Sequence, residues 1–394
     1  MPGRLREVVG FGSNPGSLRM LAYVPKDLAK PRALVVALHG CTQTAAVYDH
    51  GSGWSTLADA HGFVVLFPEQ QRANNPNNCF NWFLPADTRR DHGEALSIRQ
   101  MIERMIRDHG IDRGRVFIVG LSAGGAMAAA MLATYPDVFA GGAIIAGLPY
   151  GSARNVQEAF QAMAKGSDRS ARVWGDLVRN ASAHRGAWPK ISVWHGMADA
   201  IVNPGNMEDA LKQWSDVHGV GVRPRIEHTM EGHLRRVWRT EADEDVIEAV
   251  SIKGMGHGVP LAARGVDNCG NAGPFHFDVG ISSSHHILSF WGLAGSSVAA
   301  EKEAATQARP LVPAEAESYE IPALAARESA SSGTERDETP RGGSQRHDPR
   351  PVIEAALKAA GLLSEAGAQQ GASNPLDPRH IITGTLRSVG LLRR

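Results

Sequence analysis

Val116-Phe117-Ile118-Val119-Gly120-Leu121-Ser122-Ala123-Gly124-Gly125-Ala126-Met127-Ala128-Ala129 is the stretch whose reading decides the fold. Its first part is a short apolar run rich in β-branched residues, the pattern of a strand buried in a parallel sheet. Its last part is rich in Ala, Met and Gly, a helix whose small side chains permit close packing. Between them, Gly120-Leu121-Ser122-Ala123-Gly124 is a G-x-S-x-G turn. Such a turn is sharp and strained, and glycines at both ends let strand and helix approach. It lifts the Ser122 hydroxyl clear of the sheet and aims the first amides of the new helix beside it. A serine held there can attack an acyl carbon while those amides hold the developing oxyanion. By itself the pentapeptide is also a tight turn with an incidental serine, a weak signal in a chain with 43 glycines. The strand before it and the helix after it supply the context that the catalytic reading requires.

Outward from this unit the pattern repeats. Residues 17–24 and 33–38 read as strands, the first ended by Pro25 and the second opening onto His39-Gly40-Cys41-Thr42-Gln43. Residues 54–60 form a short helix stopped by Gly62, and 63–67 a strand ended by Pro68. A long polar loop, residues 69–91, carries the aromatics Phe80, Trp82 and Phe83. It is either a surface loop pinned by its own aromatics or a wall of the substrate cleft, and the residues leave both open. Residues 94–109 are an amphipathic helix with Leu96, Ile98, Met101, Ile102 and Met105 toward the sheet. A strand at 142–146 is followed by a helical insert at 151–188, placed to cap a cleft. The strand at 191–194 opens onto His195-Gly196-Met197-Ala198-Asp199, and a helix spans 208–218. The last clear strand, 246–252, leads into Lys253-Gly254-Met255-Gly256-His257-Gly258, and 284–291 is a closing helix. Strands alternating with helices, and strands without polar alternation, predict an α/β fold with a doubly wound, mostly parallel sheet.

The chain has 394 residues, room for one large α/β domain and additional material. Lys plus Arg equal Asp plus Glu at 41 each, with no dense basic patch carrying interleaved aromatics, so nucleic acid is not an expected partner. No apolar run is long enough to span a bilayer, and Val8-Val9 is soon broken by Gly10, Gly12 and Pro15, so no export signal is read and the expected compartment is the cytoplasm. Cys41, Cys79 and Cys269 are too few for a disulfide scaffold or a zinc array; at most one pair forms and one thiol remains. No cofactor or metal is expected.

A serine nucleophile needs a base to take its proton and a carboxylate to orient that base. In this architecture the chain order is Ser, then Asp or Glu, then His, with the later two on loops after strands. Asp199 and His257 meet that condition. His39 and His195 also stand at strand ends before a glycine, but earlier than the base is expected, and each has a loop-packing alternative. His285 and His286 fall in a helix, as do Asp209 and Asp216. For Asp199 the alternative is a turn residue bonding its own backbone. The oxyanion hole is expected from the amides of Ala123 and of Cys41 in the loop after the early strand.

Several runs together resemble a known family. They are Leu38-His39-Gly40-Cys41-Thr42-Gln43, Phe67-Pro68-Glu69-Gln70, Cys79-Phe80-Asn81-Trp82-Phe83, the Gly120–Met127 run, Val193-Trp194-His195-Gly196-Met197-Ala198-Asp199 and Gly254-Met255-Gly256-His257-Gly258. They resemble the polyhydroxybutyrate depolymerase family of esterases, and more closely the short-chain-length polyhydroxyalkanoate depolymerases with a type 1 catalytic domain. Asp278-Val279-Gly280-Ile281-Ser282-Ser283-Ser284 and Phe290-Trp291-Gly292-Leu293 match that family's usual end. The resemblance covers residues 5–295. It implies an α/β-hydrolase fold, a triad of Ser122, Asp199 and His257, and a Cys41–Cys79 disulfide tying the oxyanion loop to the aromatic loop. It also implies hydrolysis of poly(3-hydroxybutyrate) or its oligomers, with feruloyl and acetylxylan esterases among related sequences. Members are largely extracellular and many carry an aromatic-bearing substrate-binding module after the catalytic domain. Here residues 296–394 hold one aromatic, Tyr319.

The expected organisation is therefore a catalytic domain over residues 1–295, a disordered linker over 296–347 rich in Ala, Glu, Pro, Ser and Arg, and two repeated short amphipathic helices over 348–394. The repeat sets Asp348-Pro349-Arg350-Pro351-Val352-Ile353 against Asp377-Pro378-Arg379-His380-Ile381-Ile382, each opened by an N-cap and first-turn pair and closed at Gly361 or Gly390. The helices are too short to be stable alone. They either dock on the catalytic domain or anchor a partner protein or an apolar polymer granule. A non-catalytic granule-binding protein is the alternative of another class.

Overall fold

The computed structural model describes residues 4–26, 28, 32–265 and 267–294. The linker and the repeated helices expected beyond residue 295 lie outside the described residues.

Ten strands form one sheet in the order β1-β2-β4-β3-β5-β6-β7-β10-β9-β8. β3 (Arg32–Leu38), β4 (Val64–Glu69), β5 (Ile111–Leu121), β6 (Gly141–Ile145), β7 (Lys190–Gly196) and β10 (Asp245–Ile252) are parallel neighbours. β1 (Arg6–Glu7) and β2 (Arg19–Tyr23) extend one edge antiparallel, and the hairpin of β8 (Ile226–Met230) and β9 (His233–Arg239) extends the other. A separate parallel pair joins β11 (Val259–Leu261) to β12 (His276–Asp278).

The central strands are apolar because both faces are covered. Leu34, Val36 and Leu38 of β3 enter one core with Val116 and Ile118 of β5, while Ala33, Val35 and Ala37 enter a second with Phe117, Val119 and Leu121. The first core is closed by α4 (Gly93–His109), α5 (Ala123–Thr134) and α8 (Gly205–His218), the second by α1 (Ala45–Ser52), α2 (Trp54–His61) and α9 (Ser283–Phe290). Every residue of α5 is buried, so its small side chains are what bring it onto the sheet. α4 instead buries one stripe, with Met101, Ile102 and Met105 inward, and stops at Gly110, whose φ is 61°. The loop between β4 and α4 holds a single turn, α3 (Pro85–Thr88), and the insert after β6 is two helices, α6 (Val156–Ala164) and α7 (Ala171–Arg179).

This is the α/β-hydrolase fold expected from the sequence, with four departures. β4 runs through Pro68 to Glu69. The β8–β9 hairpin, β11 and β12 add strands around β10 where the apolar runs gave none. α1 precedes the expected helix at Trp54. β5 starts at Ile111, well before the apolar run.

Candidate active site

β5 ends at Leu121 and α5 starts at Ala123, so Ser122 makes the whole turn. Its φ is 56° and ψ −117°, a sparsely populated conformation for a residue with a side chain. Such strain costs on the order of 1–3 kcal/mol and persists only where the surroundings enforce it. Here they do. The Ser122 amide donates to Ile145 O of β6 at 2.8 Å, and its carbonyl accepts from Ala126 at 2.9 Å. A Cβ on Gly124 would lie 2.4 Å from Leu38 O, and one on Gly120 would lie 2.1 Å from Gly124 O. The glycines are thus required by backbone approach between α5 and the ends of β3 and β5. Ser122 stays half-exposed amid buried neighbours.

The two later positions are brought together. His257 Nδ1 stands 2.7 Å from Asp199 Oδ2, and both side chains are buried. Asp199 Oδ1 accepts from the Ile201 and Val202 amides at 2.8 and 2.9 Å. The turn-residue role is therefore real, and it is filled by the oxygen that His257 does not use. Burial raises the Asp199 pKa, but hydrogen bonds from His195 and His257 outweigh it and hold the carboxyl below its ordinary range. Ser122, Asp199 and His257 follow β5, β7 and β10, parallel strands of one sheet, and so share its carboxyl-end rim. β10 lies three strands from β5, about 14 Å at ~4.8 Å per strand, so its loop must lean back. It does so over β7: a Cβ on Gly196 would lie 2.3 Å from Gly256 O, and Ala198 N donates to Met255 O at 2.9 Å.

The loop after β3 is fixed from several sides. Cys41 is disulfide-bonded to Cys79, their Cα atoms 4.2 Å apart. Thr42, at φ 64°, donates its amide to Asn77 O at 2.6 Å, and the Gly40 amide donates to Gln43 Oε1 at 2.9 Å. The Cys41 amide stands between these two. The Ala123 amide opens α5, where the first turn has no intrahelical acceptor. His39 is buried, its Nδ1 2.8 Å from Gly40 O while Nε2 accepts from the Gln70 amide at 3.1 Å. Burial lowers its pKa, so it sits as a neutral strut in the loop.

Other contenders are accounted for. Asp216 pairs with Arg179, and Asp209 is buried on α8 beside Lys212. His285 and His286 sit on α9. His195 is the surprise: its Nε2 lies 2.9 Å from Val202 O and 3.2 Å from Asp199 Oδ2. The four-residue spacing in His195-Gly196-Met197-Ala198-Asp199 was the available signal.

Sequence reasoning also passed over Glu94, the second residue of α4. It is buried, and accepts from Gln70 Nε2 at 2.5 Å and from the Asn81 amide at 2.9 Å. Burial, reinforced by Asp87, pushes its pKa up to about 8. Glu94 thereby ties Gln70, at the start of the aromatic loop, to Asn81 within it. Within that loop Phe80 is buried, its ring 5.0 Å from that of His39, and Trp82 is half-buried, edge-on to Phe83. Trp82 also packs on Ala126, Leu148 and Val202, together with Met163 of α6 and Ile201. The loop is ordered by its aromatics, and Trp82 stands over the first turn of α5 beside the Asp199 loop.

Residues 18–229 match the family described as Esterase PHB depolymerase. Poly(3-hydroxyalkanoate) depolymerase C of Paucimonas lemoignei is 46 % identical over 293 residues, spanning 74 % of this chain and 70 % of that protein. Feruloyl esterase B of Thermothelomyces thermophilus is 36 % identical over 229 residues, spanning 56 % of this chain and 78 % of that one. Among solved structures, acetyl xylan esterase from Aspergillus awamori aligns with a TM-score of 0.63 at 25 % identity, covering 74 % of this chain and 100 % of that one.

Proposed function

The chain belongs to the PHB depolymerase family of esterases and is a carboxylic ester hydrolase; from that premise we propose a serine mechanism carried by Ser122, His257 and Asp199 and directed at 3-hydroxyalkanoate esters. The observation that carries the reading is the 2.7 Å contact of His257 Nδ1 with Asp199 Oδ2 at the rim where Ser122 is held in its strained turn.

The steps follow from the donors available. With Nδ1 bonded to Asp199, the imidazole presents Nε2 as the base that takes the Ser122 proton. The alkoxide attacks the ester carbonyl, and the amides of Cys41 and Ala123 receive the oxyanion. The imidazolium then protonates the leaving alcohol, and water releases the acyl group from Ser122. Asp199 keeps the imidazole in its working tautomer. Trp82 serves as a wall of the acyl cleft.

Substrate assignment rests on the depolymerase relative at 46 % identity. A carbohydrate esterase for feruloyl or acetyl groups is the second reading, favoured by the full-length alignment with the Aspergillus enzyme. The sequence repeat at residues 348–394 is assigned to docking on a polymer granule or a protein partner.

A panel of 3-hydroxybutyrate oligomers, amorphous polymer, a feruloyl ester and acetylxylan tests the substrate. Release of 3-hydroxybutyrate is expected; ferulate or acetate alone would move the assignment to carbohydrate. Fluorophosphonate labelling of wild type, lost in Ser122→Ala, tests the nucleophile. A wild-type chain that neither labels nor turns over any ester is a binding protein. Truncation before Ser296 is expected to reduce granule association, and unchanged association would remove the docking role.

A further inference from the structure

His285 and His286 open α9, and ester hydrolysis has no use for them. Glu231, in the turn between β8 and β9, and Asp267, in the loop between β11 and β12, converge on the same place. One ligand atom from each of Glu231, Asp267 and His286 lies within 4.8 Å of the other two. His286 Nε2 is 3.5 Å from Glu231 Oε1, and His285 Nδ1 is 3.3 Å from Asp267 Oδ1. His61 of α2 brings another imidazole against His285, ring centroids 6.5 Å apart. Asp267 and His285 are buried, His286 is half-buried, and Glu231 is exposed at the mouth.

We propose that Glu231, Asp267 and His286 bind one divalent ion of the zinc class, with His285 orienting Asp267. The donor set selects the metal. Imidazole with carboxylates suits zinc and its neighbours, whereas calcium and magnesium take oxygen ligands almost exclusively. Zinc ligands at ~2.1 Å in tetrahedral geometry stand about 3.4 Å apart. The Glu231–His286 separation already meets that spacing. Three protein ligands leave the fourth position to water. Ligating carboxylates are themselves held by outer partners that fix their orientation, and His285 Nδ1, 3.3 Å from Asp267 Oδ1, is placed for that.

The three ligands come from segments that the sheet does not join: the edge hairpin, the long loop between β11 and β12, and α9. An ion there is a clamp. That loop also carries Phe275, whose ring stands edge-on to His257 with centroids 6.1 Å apart. The clamp therefore lies on the segment that shelves the imidazole.

The full chain, stripped with a chelator, is titrated with Zn²⁺ in competition with a chromogenic chelator, and its melting temperature is followed. One ion per chain is expected, with a higher melting temperature and no competition from Ca²⁺ or Mg²⁺. Glu231→Gln and His286→Gln should each weaken binding about tenfold or more. Glu231 is exposed, so its variant keeps the test decisive if His286→Gln fails to fold. Absence of saturable 1:1 uptake by wild type would overturn the proposal. So would binding by Glu231→Gln as tight as wild type, which would assign the metal to other surface imidazoles and leave the cluster as two His–carboxylate pairs.

Discussion

His195 and His257 converge on a single oxygen: their Nε2 and Nδ1 atoms lie 3.2 and 2.7 Å from Asp199 Oδ2. Asp199 therefore accepts from two backbone amides on Oδ1 and from His257 on Oδ2, with the His195 imidazole close beside that same oxygen. The amides fix the carboxylate's orientation, and the two imidazoles hold its pKa down despite burial. His195 also lies 2.9 Å from Val202 O, so it links the acid to the chain that supplies one of its amides. We expect His195→Ala to lower kcat about tenfold with little change in KM, because the loss is in orienting the proposed base and not in holding substrate. His195→Gln, which keeps an N–H near the same place, should recover part of it. Steady-state kinetics on a soluble ester check both; a rise in KM at constant kcat would contradict the assignment.

Gly124→Ala tests the turn at Ser122, the proposed nucleophile. Its Cβ would meet Leu38 O at 2.4 Å and His39 O at 2.5 Å, both backbone atoms that cannot swing away. Relief requires α5 to lift from β3, carrying the Ala123 amide with it and separating it from the Cys41 loop. The expected result is a kcat loss of roughly a hundredfold or more, comparable to loss of an oxyanion donor, and a lower melting temperature. Gly62→Ala is the control. Gly62 has φ 73° but open space around its Cβ position, so only the ~1 kcal/mol conformational cost should appear, with activity kept.

What could be read from the sequence divides along physical lines. The strand–turn–helix at Ser122 and the polar residues at later strand ends were legible because each is a local pattern. Asp199 and His257, proposed as acid and base, were picked out by chain order and a preceding strand, and the fold brings the two side chains into contact. The β8–β9 hairpin was not legible: β8 is mostly exposed and polar in its middle, and β9 carries three arginines, so no period-two apolar signal survives. Pro68 misled because proline ordinarily ends a strand. β3 pairs with β4 only as far as Leu66, and beyond it one edge of β4 is free to carry a residue without an amide hydrogen. Glu94 looks like any acidic residue in a first helical turn. Its hydrogen-bond partners are residues 70 and 81, which no local window connects to it. The tail repeat falls beyond the described residues.

The Cys41–Cys79 bond closes a loop spanning 38 residues. Chain entropy alone assigns such a crosslink up to about 4 kcal/mol. Its position matters more than that figure, since it joins the proposed oxyanion amide to the aromatic loop. Cys41→Ser combined with Cys79→Ser should lower the denaturation midpoint and also lower kcat, the Cys41 amide remaining present but less firmly placed. Urea unfolding and ester kinetics on the same preparation separate the two effects. Full activity at reduced stability would show that the Thr42–Asn77 and Gly40–Gln43 bonds suffice to hold the loop.

Glu94 gives a pH dependence whose sign can be worked out. Burial, and the nearby Asp87, favour its neutral form in the folded protein and push its pKa to about 8, against an ordinary 4.5. Between those values the folded chain holds a proton that the unfolded chain has released. Stability must therefore fall as pH rises through that window, levelling above about pH 8. The full shift corresponds to roughly 5 kcal/mol, which bounds the expected change from above. The loop held by this carboxyl, through Gln70 and Asn81, is the one carrying Trp82 and Cys79, so it should loosen first on the alkaline side. Glu94→Gln cannot ionise, and its NH2 cannot accept a hydrogen bond, whereas the hydroxyl oxygen of the neutral carboxyl still can. It should be less stable than wild type at pH 5.5 yet show a flatter profile to pH 8.5. Urea midpoints at the two pH values check this; parallel profiles for the two proteins would assign the alkaline loss of stability to another group.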